Sequence, residues 1–369
     1  MTVPPISSSL DLPVGGNPVA AEQVLRARAP RIGAGAASDE ASAQDRASAP
    51  AMPPAASSAP RPAALPATRS RTRVPASLAT GPTAPISAYL AASPHAELRG
   101  GLDLGFGRSV KLWRNRDAFV RYDAPAGHTL SFYSKGGAGT RRLDTPGGPA
   151  RGWQGAVCMM PEGLSSEWEI TESFEFVHIN LPDDELRLAY AETFDRDARA
   201  VDVADLTYAD AQGMAAPFLA LQAAALSGQA IWAEEAATEL LAALFSESRF
   251  VARCTGRLAG GLSPKSLGRI REFIEANLDQ PLHLRDLAGL VGLSEFHFQR
   301  SFRASVGVTP HRLIQHRRIQ RAKALIGAGE PLAQAAAACG FDSQSHLSRA
   351  FKAATGLTPG RYRLDLRPS

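Results

Sequence analysis

The chain has 369 residues, 44% of them hydrophobic and 21% charged, with a net charge of +4, which is enough for two folded domains with sizeable cores. No apolar run reaches the ~18 residues of a transmembrane helix, and the opening Met-Thr-Val-Pro-Pro lacks the charged and apolar stretches of a secretory signal. Cys158, Cys254 and Cys339 lie far apart and are odd in number, giving neither a disulfide framework nor a zinc spacing, so a reduced cytoplasmic setting without membrane attachment is expected. The charge is uneven: from Ser263 onward 16 basic side chains stand against 8 acidic ones, a net +8, which leaves −4 on the first 262 residues. A basic C-terminal piece on a mildly acidic remainder fits a nucleic-acid module, although a solvated face carries the same signature.

Residues 1–85 are dominated by Ala, Pro, Ser and Gly and hold almost no aromatics. Such a segment cannot bury enough apolar surface to offset its ordering entropy, so a disordered tail is expected. From residue 87 to Leu181 the pattern is short strands with turn punctuation. Leu130–Tyr133 and Ala156–Met160 are apolar runs, the second ending at Pro161-Glu162-Gly163, and 168–170 and 174–179 alternate in places. Gly136-Gly137 and Pro146-Gly147-Gly148 mark loops. A small antiparallel barrel or jelly roll fits, an architecture whose interior often holds a ligand. Trp113, Phe132, Tyr133 and Trp168 are candidate pocket residues, or plain core. His95, His128 and His178 are too scattered for a cupin metal site, which needs several His and a Glu on neighbouring strands. No nucleophile elbow is present, and Gly100–Gly107 lacks the Lys-Ser/Thr of a phosphate loop. Cys158, in an apolar strand, reads as an inert buried thiol.

Pro182 opens a helical region. Over 229–250, Ala237, Leu240, Leu241, Leu244 and Phe245 fall at i, i+3, i+4, i+7, i+8 and form one apolar stripe, either core or a dimer seam. Gly256, Gly260 and Gly261 then supply a linker. A first helix is expected from Lys265 to Asn277 with Leu267, Ile270 and Ile274 inward, and a second carries Leu284, Leu287, Ala288 and Val291 on one face. Gly292 suits a left-handed turn, and Ser294 an N-cap. Phe298 and Phe302 then point inward, which leaves Glu295, Phe296, Gln299, Arg300 and Arg303 outside. Gln and Arg are the side chains best shaped for bidentate contacts to adenine and guanine edges.

This unit is repeated. Phe298, Arg300, Phe302, Gly307 and Pro310 recur as Leu347, Arg349, Phe351, Gly356 and Pro359, all 49 positions later, and Gly292 recurs as Gly340 at 48. Each copy reads as the turn and second helix of a helix-turn-helix, a unit that places a helix in a DNA major groove. Its most specific stretch runs Gly340-Phe341-Asp342-Ser343-Gln344-Ser345-His346-Leu347-Ser348-Arg349-Ala350-Phe351-Lys352, followed by Gly356-Leu357-Thr358-Pro359 and Tyr362-Arg363. Lys265 to Arg363 thereby resembles the DNA-binding domain of the AraC/XylS family of bacterial transcription regulators.

The resemblance implies seven helices and two helix-turn-helix units joined by one long helix, here about Thr309 to Ile326. The inner face of that helix is Leu313, Ile314, Ile319, Ala322 and Leu325. Arg317, Arg318, Arg321 and Lys323 are then available to phosphates or to water. The two recognition helices would enter successive major grooves about 34 Å apart. The family's base-reading positions fall on Phe296, Gln299 and Arg300, then on Ser345, His346 and Arg349; Arg317 and Arg318 are added as backbone contacts. His311, His316 and Lys352 are read as surface or backbone-positioning residues. Three positions depart from the pattern. His283 and Ala333 stand where a Ser or Thr cap is usual, and Ala335 replaces a large aliphatic, which thins the second core.

The family commonly places a cupin-like barrel and a helical dimerisation element ahead of this domain, and Val157–Gly163 looks like its late strand and Pro-Gly turn. The expected fold is therefore α+β: a tail over 1–85, a cupin-like sensing and dimerisation domain over 87–250, and an all-α tandem helix-turn-helix domain over 263–365. The expected role is a sequence-specific DNA-binding transcription regulator answering to a small-molecule effector in the barrel, with no catalytic residue, metal or cofactor. Double-stranded DNA, RNA polymerase, the effector and a second copy of the chain are the expected partners. Two alternatives stand beside it: a regulator whose barrel only dimerises or binds a protein, and a cupin enzyme fused to a DNA-binding tail.

Overall fold

The computed structural model describes residues 84–145, 147–253 and 260–366. The tail expected over 1–85 lies almost wholly outside these residues, as do Gly256 of the expected linker, Cys254 and Pro146. A short helix α1 (Ile86–Ala92) leads into nine strands: β1 (Ala96–Gly105), β2 (Arg108–Asn115), β3 (Ala118–Tyr122), β4 (His128–Lys135), β5 (Thr140–Arg142), β6 (Ala150–Arg151), β7 (Val157–Met160), β8 (Ser166–Ile170) and β9 (Phe174–Leu181). Helix α2 (Asp183–Phe194) and a single 3-10 turn (Ala198–Ala200) follow, then β10 (Val201–Val203), β11 (Leu206–Ala209), α3 (Gln212–Ser227), α4 (Ala230–Ser246) and β12 (Val251–Arg253).

The strands form an antiparallel six-stranded sheet in the order β1-β2-β9-β4-β7-β11, a four-stranded sheet β3-β8-β5-β6 and a small pair β10-β12. The hydrogen bonding does not close into the barrel that the strand pattern suggested; the two main sheets remain separate and open at their edges. The reason lies in how the larger sheet is buried. On β9, Val177, Ile179 and Leu181 join a core with α3 and α4, whereas Phe174 and Phe176 join a second core with Trp168 and Ile170 of the four-stranded sheet. On β7 the same division puts Val157 and Met159 on the helix side and Cys158 and Met160 on the other. A sheet covered on both faces needs continuous apolar runs rather than alternation, which is why Val157–Met160 is buried at every position.

The apolar stripe of α4 belongs to the helix-side core. Ala237, Leu240, Leu244 and Phe245 are at most 2% exposed, and Leu241 packs on the same cluster. The dimer-seam alternative for this stripe is thereby overturned: its partner is the chain's own sheet.

Seven helices follow among the described residues: α5 (Pro264–Ala276), α6 (Leu284–Leu290), α7 (Glu295–Val306), α8 (Pro310–Gly327), α9 (Leu332–Ala338), α10 (Gln344–Thr355) and α11 (Pro359–Asp365). Local capping explains most of their starts. The hydroxyls of Ser263, Ser294, Thr309, Ser343 and Thr358 each accept from the main-chain N–H three residues on, and Pro264, Pro310 and Pro359 occupy first-turn positions. The Thr-Pro pair that ends each repeat in the sequence is therefore the start signal of the next helix. His283 does precede α6 without a side-chain cap, as expected. The cap position of α9 is Pro331 rather than Ala333, and it too lacks a side-chain cap.

Candidate nucleic-acid interface

The first unit packs α5, α6, α7 and the start of α8 around Ile270, Ile274, Leu287, Phe298, Phe302 and Leu313, all at most 1% exposed. The second packs the rest of α8 with α9, α10 and α11 around Ile319, Ala335, Leu347 and Phe351. Both turn glycines, Gly292 at φ +66° and Gly340 at φ +69°, hold the left-handed conformation that the turn requires. Burial of Phe298 and Phe302, and of Leu347 and Phe351, fixes the rotation of α7 and α10 and so decides which side chains face out.

On α7, Phe296 is 73% exposed and Gln299, Arg300 and Arg303 are exposed beside it. On α10, Ser345, His346 and Arg349 are exposed. All six expected base readers thus lie on outer faces of the two second helices. His346 is tethered rather than loose: its Nδ1 lies 3.3 Å from Asp342, and its ring meets Phe341 edge-on at 5.3 Å. The α7 face opens onto a cleft of about 930 Å³, where Gln299, Arg300 and Arg303 look across at Glu162, Asp183, Asp184 and Arg187. Burial opposes ionisation of Asp183, but hydrogen bonds from His128 and Arg187 prevail and hold its carboxyl at about 2. Such carboxylates repel a phosphate backbone.

Arg317 and Arg318 are placed differently from their expected role as backbone contacts. Arg317 pairs with Glu192 of α2 at 2.9 Å and with Glu275 of α5 at 3.2 Å. Arg318 donates to the carbonyls of Leu278 at 3.0 Å and Gln280 at 2.8 Å, tying the α5–α6 connection to α8. Both guanidiniums have internal partners in this arrangement, so neither is poised for a phosphate. Spacing along a helix placed them on a basic face, but could not say what that face rests on.

What it rests on is the sheet-bearing half, through carboxylates that no sequence motif marked. Glu185 of α2, whose side chain is only 4% exposed, accepts from Arg312 at 2.9 Å and His316 at 3.1 Å. Burial alone would raise its pKa, but the hydrogen bonds and charges of His316 and Arg312 hold the carboxyl below its ordinary value. Lys323 pairs with Glu234 of α4. Arg312, His316, Arg317 and Lys323 of α8 therefore meet Glu185 and Glu192 of α2 and Glu234 of α4. His316, read from sequence as a surface or backbone-positioning residue, lies instead in this interface. A further contact comes from the β1–β2 hairpin, where Phe106 enters the core of the second unit. A bulky residue between two glycines at a strand end was the available signal, but it does not name a partner 200 residues away.

In the sheet-bearing half, Asn115, Ser131, Tyr133, Trp168, Phe174 and His178 line a cavity of about 30 Å³ between the two sheets. His178 is buried with its Nδ1 lacking a partner, and burial pushes its pKa down to about 3. Cys158 is fully buried, with burial driving its thiol up to about 12, as an inert thiol requires. Among the described residues no group of three or more His, Cys, Asp or Glu is arranged to hold a metal, and no helix is long and apolar enough to cross a membrane.

The family match falls in the helical part, whereas solved structures of ToxT from Vibrio cholerae are 15% and 14% identical over 71% of this chain and 99% of their own, with TM-scores of 0.31 and 0.29. A family described as a helix-turn-helix domain matches residues 287–365. The chain is 35% identical over 99 residues to a probable transcriptional regulator, LumQ, of Photobacterium leiognathi, across 27% of this chain and 40% of that protein. It is 40% identical over 74 residues to an uncharacterized HTH-type transcriptional regulator, YbfI, of Bacillus subtilis, across 20% of this chain and 27% of the other. The matched stretch thus spans two-fifths or less of these curated relatives. Among solved structures, a transcriptional regulator with an AraC-type DNA-binding domain from Chromobacterium violaceum is 29% identical over 28% of this chain and 96% of its own, with a TM-score of 0.27. Residues 287–365 thus carry a helix-turn-helix domain, similar to the AraC-type domain of that structure.

Proposed function

We propose that this chain is a sequence-specific, double-stranded-DNA-binding transcription regulator whose 87–250 half responds to a small molecule. The observation that carries the reading is the pair of capped second helices, which display Phe296, Gln299 and Arg300 on one and Ser345, His346 and Arg349 on the other. Arg is suited to guanine edges and Gln to adenine. RNA polymerase is the further partner that a regulator of transcription addresses. Arg317 and Arg318 are proposed to reach phosphates only when the α8 interface rearranges. Binding-site selection with the whole chain tests the reading. Enrichment of a duplex motif with two half-sites about one helical turn apart is expected, and recovery of no motif would overturn it.

The effector is proposed to bind between the two sheets. Supporting this are the aromatic lining and the unpartnered Nδ1 of His178, since a buried polar atom left unpaired destabilises the fold until something satisfies it. The cavity of about 30 Å³ has room for about one water, so an effector binds by parting the aromatic side chains. A ligand-dependent rise in melting temperature that disappears in His178→Phe supports the site; a rise retained in that variant places the ligand elsewhere.

One observation favours a second reading, in which the sheet-bearing half also dimerises or holds a protein. Leu219 and Leu226 on α3 and Trp232 on α4 are 52%, 59% and 60% exposed. A homodimer through this surface would sediment as a dimer and become monomeric in Trp232→Glu; a monomeric wild type would remove the homodimer from this reading.

A further inference from the structure

The β1–β2 hairpin ends in Gly105-Phe106-Gly107, and its two tip residues both have positive φ, +52° at Phe106 and +79° at Gly107. That is the type I′ pattern, which favours Asn-Gly. A Phe at positive φ is strained, and such strain persists only where the surroundings impose it. Here the surroundings are the second helix-turn-helix unit. The Phe106 side chain is 8% exposed and belongs to the core that contains Ile319, Ala335 and Phe351. Its ring stacks on His316 with centroids 3.8 Å apart, and the Arg312 guanidinium lies over it at 4.1 Å. The Phe106 N–H donates to the carbonyl of Ala353 in α10 at 3.1 Å. The approach is backbone to backbone: a Cβ on Gly105 would lie 2.0 Å from the main chain of Ala354.

The residues of α9 that are fully buried in the second unit's core are alanines, Ala335 and Ala336, with Leu332 packed against it half-buried. We propose that Phe106 is a positioning residue for DNA recognition: the sheet-bearing half supplies a large side chain to the second unit and thereby holds α10 in place for its target. The first unit's core holds more large side chains from its own helices, among them Phe298, Phe302, Leu287 and Leu313, beside Leu188 from α2 of the other half. Reading by α10 is conditional on the hairpin, so a change within the six-stranded sheet reaches α10 through β1 and β2. The DNA aspect rests on the proposed function, but the hold of the hairpin on α10 does not.

Two variants of the full chain separate the hairpin's turn from its plug. Phe106→Asn gives the turn its favoured Asn-Gly and removes the plug; Phe106→Leu keeps an apolar side chain at the strained position. Hydrogen exchange is read first, without DNA. Phe106→Asn is expected to speed exchange in α9 and α10 about tenfold or more while α7 and the sheets stay protected, and Phe106→Leu to stay near wild type. Footprinting then uses the duplex enriched by the wild-type chain. Phe106→Asn is expected to lose protection of the half-site under α10, keep that under α7, and bind about tenfold or more weakly overall. Wild-type exchange in Phe106→Asn overturns the proposal, as does a uniform loss of protection across both units and the sheets. Equal damage from both variants overturns it too. If exchange changes as expected but the wild-type chain enriches no duplex, the hairpin's hold on α10 stands and the DNA reading falls.

Discussion

Glu185→Gln tests the electrostatic seam between the two halves and allows the size of the effect to be worked out. The carboxylate is 4% exposed and accepts from Arg312 at 2.9 Å and His316 at 3.1 Å. Hydrogen bonds to a charged group contribute about 1.5–3 kcal/mol each, against about 0.5–1.5 for neutral ones. Gln keeps an acceptor, so the loss is the difference, on the order of 1 kcal/mol per bond. Arg312 donates through two nitrogens, so three bonds are affected, and its 31% exposure lets it recover hydration, which trims a sum of about 3 to about 2 kcal/mol. A destabilisation of this size lowers the melting temperature by about 4–8 °C in a protein of this size class. The pH dependence has a definite sign. Glu185 has a folded pKa below its ordinary 4.5, so its stabilisation is complete above that value and is lost as pH falls through the depressed folded pKa. Melts of wild type and Glu185→Gln at pH 7 should therefore differ by the full amount, and the gap should narrow below about pH 4.5. Equal melting temperatures at pH 7, or a gap that persists unchanged to pH 3, would refute the reasoning.

The remaining outcomes follow from the same contacts. Arg300→Ala and Arg349→Ala should each relax discrimination at one base pair by about 1–3 kcal/mol, and selected motifs identical to wild type for both would remove them as base readers. Leu244→Glu should abolish the cooperative melt, because Leu244 is 0% exposed in the helix-side core and a buried unpaired carboxylate is strongly destabilising. A folded Leu244→Glu monomer would restore the seam interpretation of α4.

Much of the helical part could be read from the chain alone because its determinants are local. Ser294 and Ser343 cap helices through bonds that reach three residues along the chain, and Phe298 with Phe302, or Leu347 with Phe351, define an inner face by spacing alone. Once those faces are buried, the outward placement of Phe296, Gln299, Arg300, Ser345, His346 and Arg349 follows from helix geometry. Other features needed the tertiary structure, and each for a stated reason. The stripe of α4 named a face but not its partner, since periodicity carries no information about what covers it. Apolar runs such as Ala156–Met160 marked strands, but not that both sheet faces are covered or that the sheets stay open, which depends on packing and hydrogen-bond pairing between distant segments. Arg317 looked like a phosphate contact because its charge was visible, while Glu192 and Glu275, which answer it, lie 125 and 42 residues earlier. The contact of Phe106 with His316 joins residues 210 apart, and no local rule encodes such a meeting. The sequence alone determined the two recognition helices and their outward faces. Only the tertiary structure decided that the second of them leans on a hairpin of the other half, because Phe106 enters the core beside Ala335 and Ala336 from a distant segment of the chain.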